Sequence, residues 1–235
     1  MLNDVEWDEY KQRYLDSRAD IKLFMDGVER FFIEHPSLFV RDEPVIHTTK
    51  RRLKGLENLR KKIDRKILEG REISPANFLS EITDLSGVRI IHLFQNDYSV
   101  IDAAIRRKIE GGDWVCAEQP KAFTWDPEVT DFFKKFDLQV EQRETFYTSV
   151  HFLLKPRADS HICCEVQVRT LFEEIWGEVD HKINYPVQCE SLTCREQLMV
   201  LSKIVGAGSR LVDSIRRSLE EDEIRRASEP QELST

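Results

Sequence analysis

The chain has 235 residues, 40% of them hydrophobic and 33% charged, with nine glycines and eight prolines. That is enough apolar material for a core, which excludes a disordered or collagen-like chain. With 35 basic and 43 acidic side chains the net charge is -8, so the protein as a whole is not a general polyanion binder, although a local basic patch can still hold phosphates.

No apolar run is long enough for a transmembrane helix. The start, Met1-Leu2-Asn3-Asp4-Val5-Glu6, lacks the basic and apolar regions of a secretory leader. The cysteines Cys116, Cys163, Cys164, Cys189 and Cys194 are odd in number and match no disulfide framework, so a reducing, cytoplasmic setting is expected. Cys189 and Cys194 lack the second pair that a structural zinc site needs.

Residues 4–34 read as one helix, with Trp7, Tyr10, Tyr14, Ile21, Phe24, Met25, Val28 and Phe31 recurring at helical spacing until His35-Pro36-Ser37. Residues 47–70 read as a second, basic helix, and Pro75 to Glu81 as a short one. Val88 to Phe94 reads as a buried strand, apolar on both faces. Residues 97–110 read as helix, and 111–140 as one or two strands with a short helix. Tyr147 to Leu154 and His161 to Arg169 alternate as strands joined by a turn at Pro156 to Ser160. Thr170 to Tyr185 reads as a helix burying Leu171, Phe172, Ile175, Val179 and Ile183, and a last helix runs from about Cys194 to Arg226. Helices around about five strands make the class α/β or α+β. Residues 1–45 form an N-terminal helical segment, 46–186 a core, 187–226 a C-terminal helical segment, and 227–235 a disordered tail.

Four segments carry candidate chemistry. Residues 47–66 hold nine Lys or Arg against Glu57 and Asp64, and on a helix Asn58 and Lys62 share a face. Such an array suits a polyphosphate, or it is a solvated basic helix. Asp84 stands at a strand entrance beside Gly87, where it could hold a divalent metal or cap a turn. On one strand Tyr147, Ser149 and His151 face away from Thr148, Val150, Phe152 and Leu154. On the next, Glu165, Gln167 and Arg169 project from the face opposite Ile162, Cys164, Val166 and Val168, offering proton acceptance, orientation and phosphate binding, or cross-strand ion pairing. The following helix carries Trp176, Glu178, Asp180, His181 and Tyr185.

In this order the blocks resemble the synthetase domain of the RelA/SpoT family, the (p)ppGpp synthetases. Arg52-x-Lys54-x-x-x-Asn58-x-x-x-Lys62 is similar to the family's R-x-K-x-x-x-S-x-x-x-K, and Asp84-Leu85-Ser86-Gly87-Val88-Arg89 to D-[IL]-x-G-x-R. Tyr147-x-Ser149-x-His151 is similar to G-Y-x-S-x-H, and Glu165 to Thr170 with Trp176 and His181 to E-x-Q-[IV]-R-T and its following helix. The likeness spans roughly 45–186. It implies a nucleotidyltransferase-like mixed sheet flanked by helices, and transfer of the β,γ-pyrophosphate of ATP to the 3′-hydroxyl of GDP or GTP, leaving AMP. It further implies Mg²⁺ on Asp84 and Glu165 as catalytic carboxylates. Arg52, Lys54, Asn58, Lys62 and Arg89 would hold the donor ATP; Tyr147, Ser149, His151, Gln167 and Arg169 would hold the acceptor.

The departures are Asn58 for the motif serine, Phe146 for the motif glycine, the lead-in Gln142-Arg143-Glu144-Thr145, and a long segment between Asp84 and Tyr147. They leave open the same transfer to an adenosine nucleotide or the 3′ end of tRNA, as in a toxin, and a non-catalytic nucleotide-binding module. A homo-oligomer built on the flanking helices is a further expectation from the resemblance.

Overall fold

A computed structural model describes residues 2–185 and 187–228. Helix α1 (Asp4–Glu34) opens with a capping box: the Asn3 side chain accepts from the Glu6 N–H, and the Glu6 side chain accepts from the Asn3 N–H. A hairpin, β1 (Phe39–Val40) and β2 (Glu43–Pro44), turns through Arg41 and Asp42 at positive φ. Then follow β3 (Ile46–Leu53), α2 (Leu56–Leu68), α3 (Phe78–Glu81), β4 (Ser86–His92) and α4 (Tyr98–Glu110). The second half holds β5 (Val115–Cys116), β6 (Lys121–Thr124), α5 (Pro127–Phe133), β7 (Gln139–Gln142), β8 (Ser149–Lys155), β9 (Cys164–Thr170), α6 (Leu171–Asn184) and α7 (Leu192–Ser228).

The main sheet has seven strands in the order β3-β4-β9-β8-β6-β7, with β5 beside β8. It is mixed, as expected: β4 and β9 are parallel, as are β6 and β7, and the other pairs are antiparallel. The expectation of about five strands falls short because residues 111–140 yield three short ones, β5, β6 and β7. Each gains its stability from pairing rather than from a long apolar run.

The larger correction concerns residues 47–70. Residues up to Leu53 are strand, not helix, and the helix begins only after Gly55. Ile46, Thr48 and Thr49 are β-branched, and the segment pairs along the length of β4. Its alternation is hidden because both faces are polar. Thr49 and Arg51 meet Glu29 and Asp26 of α1, while Lys50 meets α6 from the other side.

The opposite sheet face is the core. Val88, Ile90, Val150, Phe152, Leu154, Val166 and Val168 pack with Met25, Val28, Phe31 and Phe32 of α1 and with Ile101, Ala104 and Ile105 of α4. A second apolar cluster joins Trp7, Tyr10, Tyr14 and Ile21 of α1 to Leu59 and Ile63 of α2 and to Phe78, Ile82 and Leu85. Tyr14 completes it by donating to the Lys54 carbonyl at 2.6 Å. Through this cluster α1 fixes α2 against the loop that carries Asp84.

Helix α6 does not bury the expected stripe. Glu174 and Trp176 are its buried residues, and Ile175 is 47% exposed. The helix roofs a polar sheet face, so a carboxylate turns inward and an aliphatic turns out. Trp176 donates its indole N–H to the Leu198 carbonyl of α7 at 3.0 Å, and Gly208 leaves room for Phe172 at the crossing of the two helices. Helix α7 extends through Ser228, so Ala227 and Ser228 are helical; the rest of the expected tail, and Met1, lie outside the described residues.

His92 supplies a test of the fold. It is buried in β4, hydrogen-bonded to the Phe94 carbonyl at 2.8 Å, and burial lowers its pKa to about 4 from 6.5. Protonation therefore favours the unfolded chain. The stabilisation is complete above pH 6.5 and is lost as pH falls toward 4, by roughly 1.4 kcal/mol per pH unit from this one group. Urea unfolding at pH 7.5 and pH 5 should show a steeper loss in the native protein than in His92→Gln, which keeps a donor for Phe94. Equal losses would contradict the assignment.

Candidate active site

The strand register assembles the site. Directly paired residues share a face. One row across the sheet reads Arg52, Gly87, Glu165, Leu153. The next reads Lys50, Arg89, Gln167, His151, Lys121. One step further, Ile91 faces Arg169 and Phe123 faces Ser149. A cleft of about 210 Å³ lies over the first two rows, lined among others by Lys50, Arg52, Gly87, Arg89, Glu165 and Gln167.

In the loop before β4 Asp84 sits between two lysines, Lys54 Nζ at 2.7 Å from Oδ2 and Lys62 Nζ at 2.7 Å from Oδ1. Burial opposes the Asp84 charge, but the Lys54 hydrogen bond and the close positive charges of both lysines outweigh it and hold its pKa below the ordinary value. Lys54 is displaced downward, by burial first and by neighbouring cations. Asp84 Oδ1 is buried and makes no hydrogen bond; Lys62 faces it as an ion-pair partner. Asn58 lies on α2 as expected, one turn before Lys62, and accepts from the Tyr185 hydroxyl at 3.3 Å. Tyr185 in turn stacks on His181, with 4.7 Å between ring centroids.

Over β8 and β9 five side chains form a polar circuit, hydrogen-bonded at four links and closed by the contact of His151 with Glu165. Glu165 Oε1 lies 3.2 Å from His151 Nδ1, and His151 Nε2 lies 2.9 Å from the Tyr147 hydroxyl. Arg169 Nη2 donates to Tyr147 at 2.9 Å and to Gln167 Oε1 at 2.9 Å, and Gln167 Nε2 returns to Glu165 Oε2 at 2.9 Å. Arginine can only donate, so the Tyr147 oxygen is its acceptor, and the same hydroxyl bonds His151 Nε2 while Nδ1 faces Glu165. Burial raises the Glu165 pKa and the nearby Asp84 charge adds to that rise, but the close contact with His151 prevails, with the Gln167 hydrogen bond, and holds the pKa below the ordinary value. The circuit thus delivers an ionised carboxylate with both oxygens oriented.

Of the expected acceptor residues, Tyr147, His151, Gln167 and Arg169 belong to this circuit. Ser149 does not; it is fully buried, with its hydroxyl turned to the Val168 carbonyl at 3.4 Å. Arg169 is 3% exposed, lies over the Tyr147 ring, and passes so close to Gly177 that a Cβ there would sit 2.7 Å from its Nη1. Arg143 stacks on Phe123 at 4.2 Å, and Phe123 meets His151 edge to face at 4.9 Å. Phe146, in place of the motif glycine, packs between Trp125 and Trp176.

Sequence reasoning counted Lys50 only within the basic array of 47–66 and gave no role to Lys121, Phe123, Arg143 or Glu174. The signals were present: Lys50 and Arg52 alternate on one strand, and Glu174 and Glu178 are one helical turn apart. Glu165 and a bank of lysines and arginines on one sheet face, with Asp84 in the loop beside them, present the chemistry that ligands rich in phosphate require.

The description "Region found in RelA / SpoT proteins" matches residues 51–190, and the chain belongs to the RelA/SpoT family. GTP pyrophosphokinase YjbM of Bacillus subtilis is 22% identical over 189 residues, covering 78% of this chain and 75% of that protein. The fold matches the small alarmone synthetase 1 of Bacillus subtilis bound to its product pppGpp, with a TM-score of 0.63, 17% identity, and coverage of 91% and 99%. It also matches that synthetase bound to AMPCPP, with a TM-score of 0.58, 17% identity, and coverage of 93% and 99%.

Proposed function

We propose that this protein is a small alarmone synthetase, transferring the β,γ-pyrophosphate of ATP to the 3′-hydroxyl of GDP or GTP with release of AMP. The observation that carries the reading is the side-chain circuit that orients an ionised Glu165 beside the cationic face. In the reaction the acceptor hydroxyl oxygen bonds to the β-phosphorus, the bond from that phosphorus to the α,β-bridging oxygen breaks, and the hydroxyl proton passes to Glu165. Arg52, Lys54, Lys62 and Arg89 neutralise donor phosphates, and Gln167, His151 and Arg169 define the acceptor side. The Tyr147 ring offers a stacking face for the acceptor base.

Asp84 and Glu165 would hold Mg²⁺. A buried Asp84 oxygen that makes no hydrogen bond and the all-oxygen donor set fit a hard cation, which often takes only one or two protein carboxylates beside substrate phosphates. When bound, that ion supplies further charge neutralisation on the transferring group.

The acceptor rim favours a second reading, in which the same transfer serves another acceptor. The α5–β7 segment and the Arg143–Phe123 stack fill the region where the family's lead-in departs. Transfer to tRNA draws less support: Arg60, Lys61 and Arg65 of the basic helix already pair with Asp4, Glu57 and Glu69. A homo-oligomer belongs to the proposal because α7 turns Val200, Ile204, Leu211 and Ile215 outward, each more than half exposed. So does a cytoplasmic setting; among the described residues no helix is long and apolar enough to cross a membrane.

Purified protein given labelled ATP and Mg²⁺ with GDP, GTP, AMP or deacylated tRNA tests all of this. The expected result is label on a guanosine nucleotide with matching AMP release. Label on tRNA or on an adenosine nucleotide alone would replace the acceptor, and no transfer to any acceptor would reduce the protein to a binding module.

A further inference from the structure

Glu174 of α6 is 4% exposed, yet it meets cations from three strands. Lys50 Nζ of β3 approaches at 2.7 Å, Arg89 Nη1 of β4 at 2.9 and 3.1 Å, and Arg169 Nη1 of β9 at 3.3 Å. A buried carboxylate is tolerated only with such partners. One turn on, Glu178 touches Lys50 and Arg89 at 3.1 Å each, but it is half exposed.

The two carboxylates differ in what they can do. Glu174 is locked beneath three cations and sets their spacing. Glu178 stands in solvent at the mouth, where an incoming anion with the same hydrogen-bonding pattern can take its place. Lys50 has the mobility for that exchange, since its side chain is 52% exposed. It also has the position, next to Arg89 across the strands and two residues from Arg52 on the same face of β3. The family motif begins at Arg52 and does not include it.

We propose that Lys50 is a further phosphate-binding residue of the donor nucleotide site, and that Glu174 is the positioning residue that holds Lys50, Arg89 and Arg169 as one array. This rests on the proposed function, because it assumes a nucleoside triphosphate in the cleft. Lys50 lies at the donor end of its row, four strands from Lys121 at the acceptor end, so its contribution is to donor binding alone. Glu174 contacts residues of both ends and contributes to both.

The test is calorimetric titration of the full chain with AMPCPP and, separately, with GDP. Lys50→Ala should weaken AMPCPP binding by about ten- to a hundredfold, the scale of one charge-assisted hydrogen bond, and leave GDP binding within about twofold. Lys50→Arg should recover most of the AMPCPP affinity. Glu174→Gln should weaken both ligands, which loss of a helix-to-strand clamp remote from the ligands would not do. If Lys50→Ala binds AMPCPP as the native protein does, or loses GDP instead, the assignment is overturned while the proposed function stands. If the native protein binds neither nucleotide, both fall together. Where Lys50→Ala folds poorly, judged by its melting temperature, Lys50→Gln replaces it with the same expected split.

Discussion

Glu165→Gln is expected to cut AMP release by about a thousandfold or more, roughly 4 kcal/mol of transition-state stabilisation. The amide keeps the shape of the side chain but cannot take the acceptor proton. It also cannot accept from His151 and Gln167 on two oxygens at once, so the circuit opens on one side. Nucleotide binding should survive, because the lysines and arginines that hold phosphate are untouched. Single-turnover AMP release with saturating nucleotides measures this. A variant within about tenfold of the native rate would remove Glu165 from the chemistry.

Arg169→Met is expected to damage stability and catalysis together. The arginine is 3% exposed and holds Tyr147, Gln167 and Glu174 at once. Methionine fills part of the volume but leaves the Tyr147 hydroxyl and the Gln167 carbonyl without their donor. The loss of a buried ionic partner sets the scale at about 3 kcal/mol of unfolding free energy. Activity should fall by about a hundredfold or more, because the Tyr147 hydroxyl that holds His151 and the Gln167 amide that holds Glu165 both lose their anchor. Urea unfolding and steady-state rates read the two effects separately. A stable variant with native activity would mean that the circuit is ornamental.

The parts of the site that were legible in the sequence lie on strands whose chemistry repeats every second residue. Glu165, Gln167 and Arg169 alternate with Cys164, Val166 and Val168, so the polar and core faces separate without ambiguity. The same holds for His151 against Val150 and Phe152. Ser149 shows the limit of that logic: alternation gives the face, but packing decides whether the side chain is reachable, and Ser149, opposite Phe123, is fully buried.

Strand β3 was illegible for a physical reason. Its two faces both meet carboxylates, Asp26 and Glu29 on one side and Glu174 and Glu178 on the other. A strand with ionic partners on both sides shows no apolar period and reads as a basic helix. The buried stripe of α6 failed for the complementary reason. Apolar spacing presumes an apolar floor, and the floor beneath α6 is a bank of cations, which draws in Glu174 and leaves Ile175 outside.

The central claim is that Asp84 and Glu165 share one divalent cation in the presence of donor nucleotide. Titration of Mn²⁺, as a paramagnetic substitute for Mg²⁺, into the AMPCPP complex measures it directly by electron paramagnetic resonance. The account predicts a tightly bound Mn²⁺ in the native protein, lost or greatly weakened in both Asp84→Asn and Glu165→Gln although AMPCPP still binds. Mn²⁺ held equally well by both variants would contradict it.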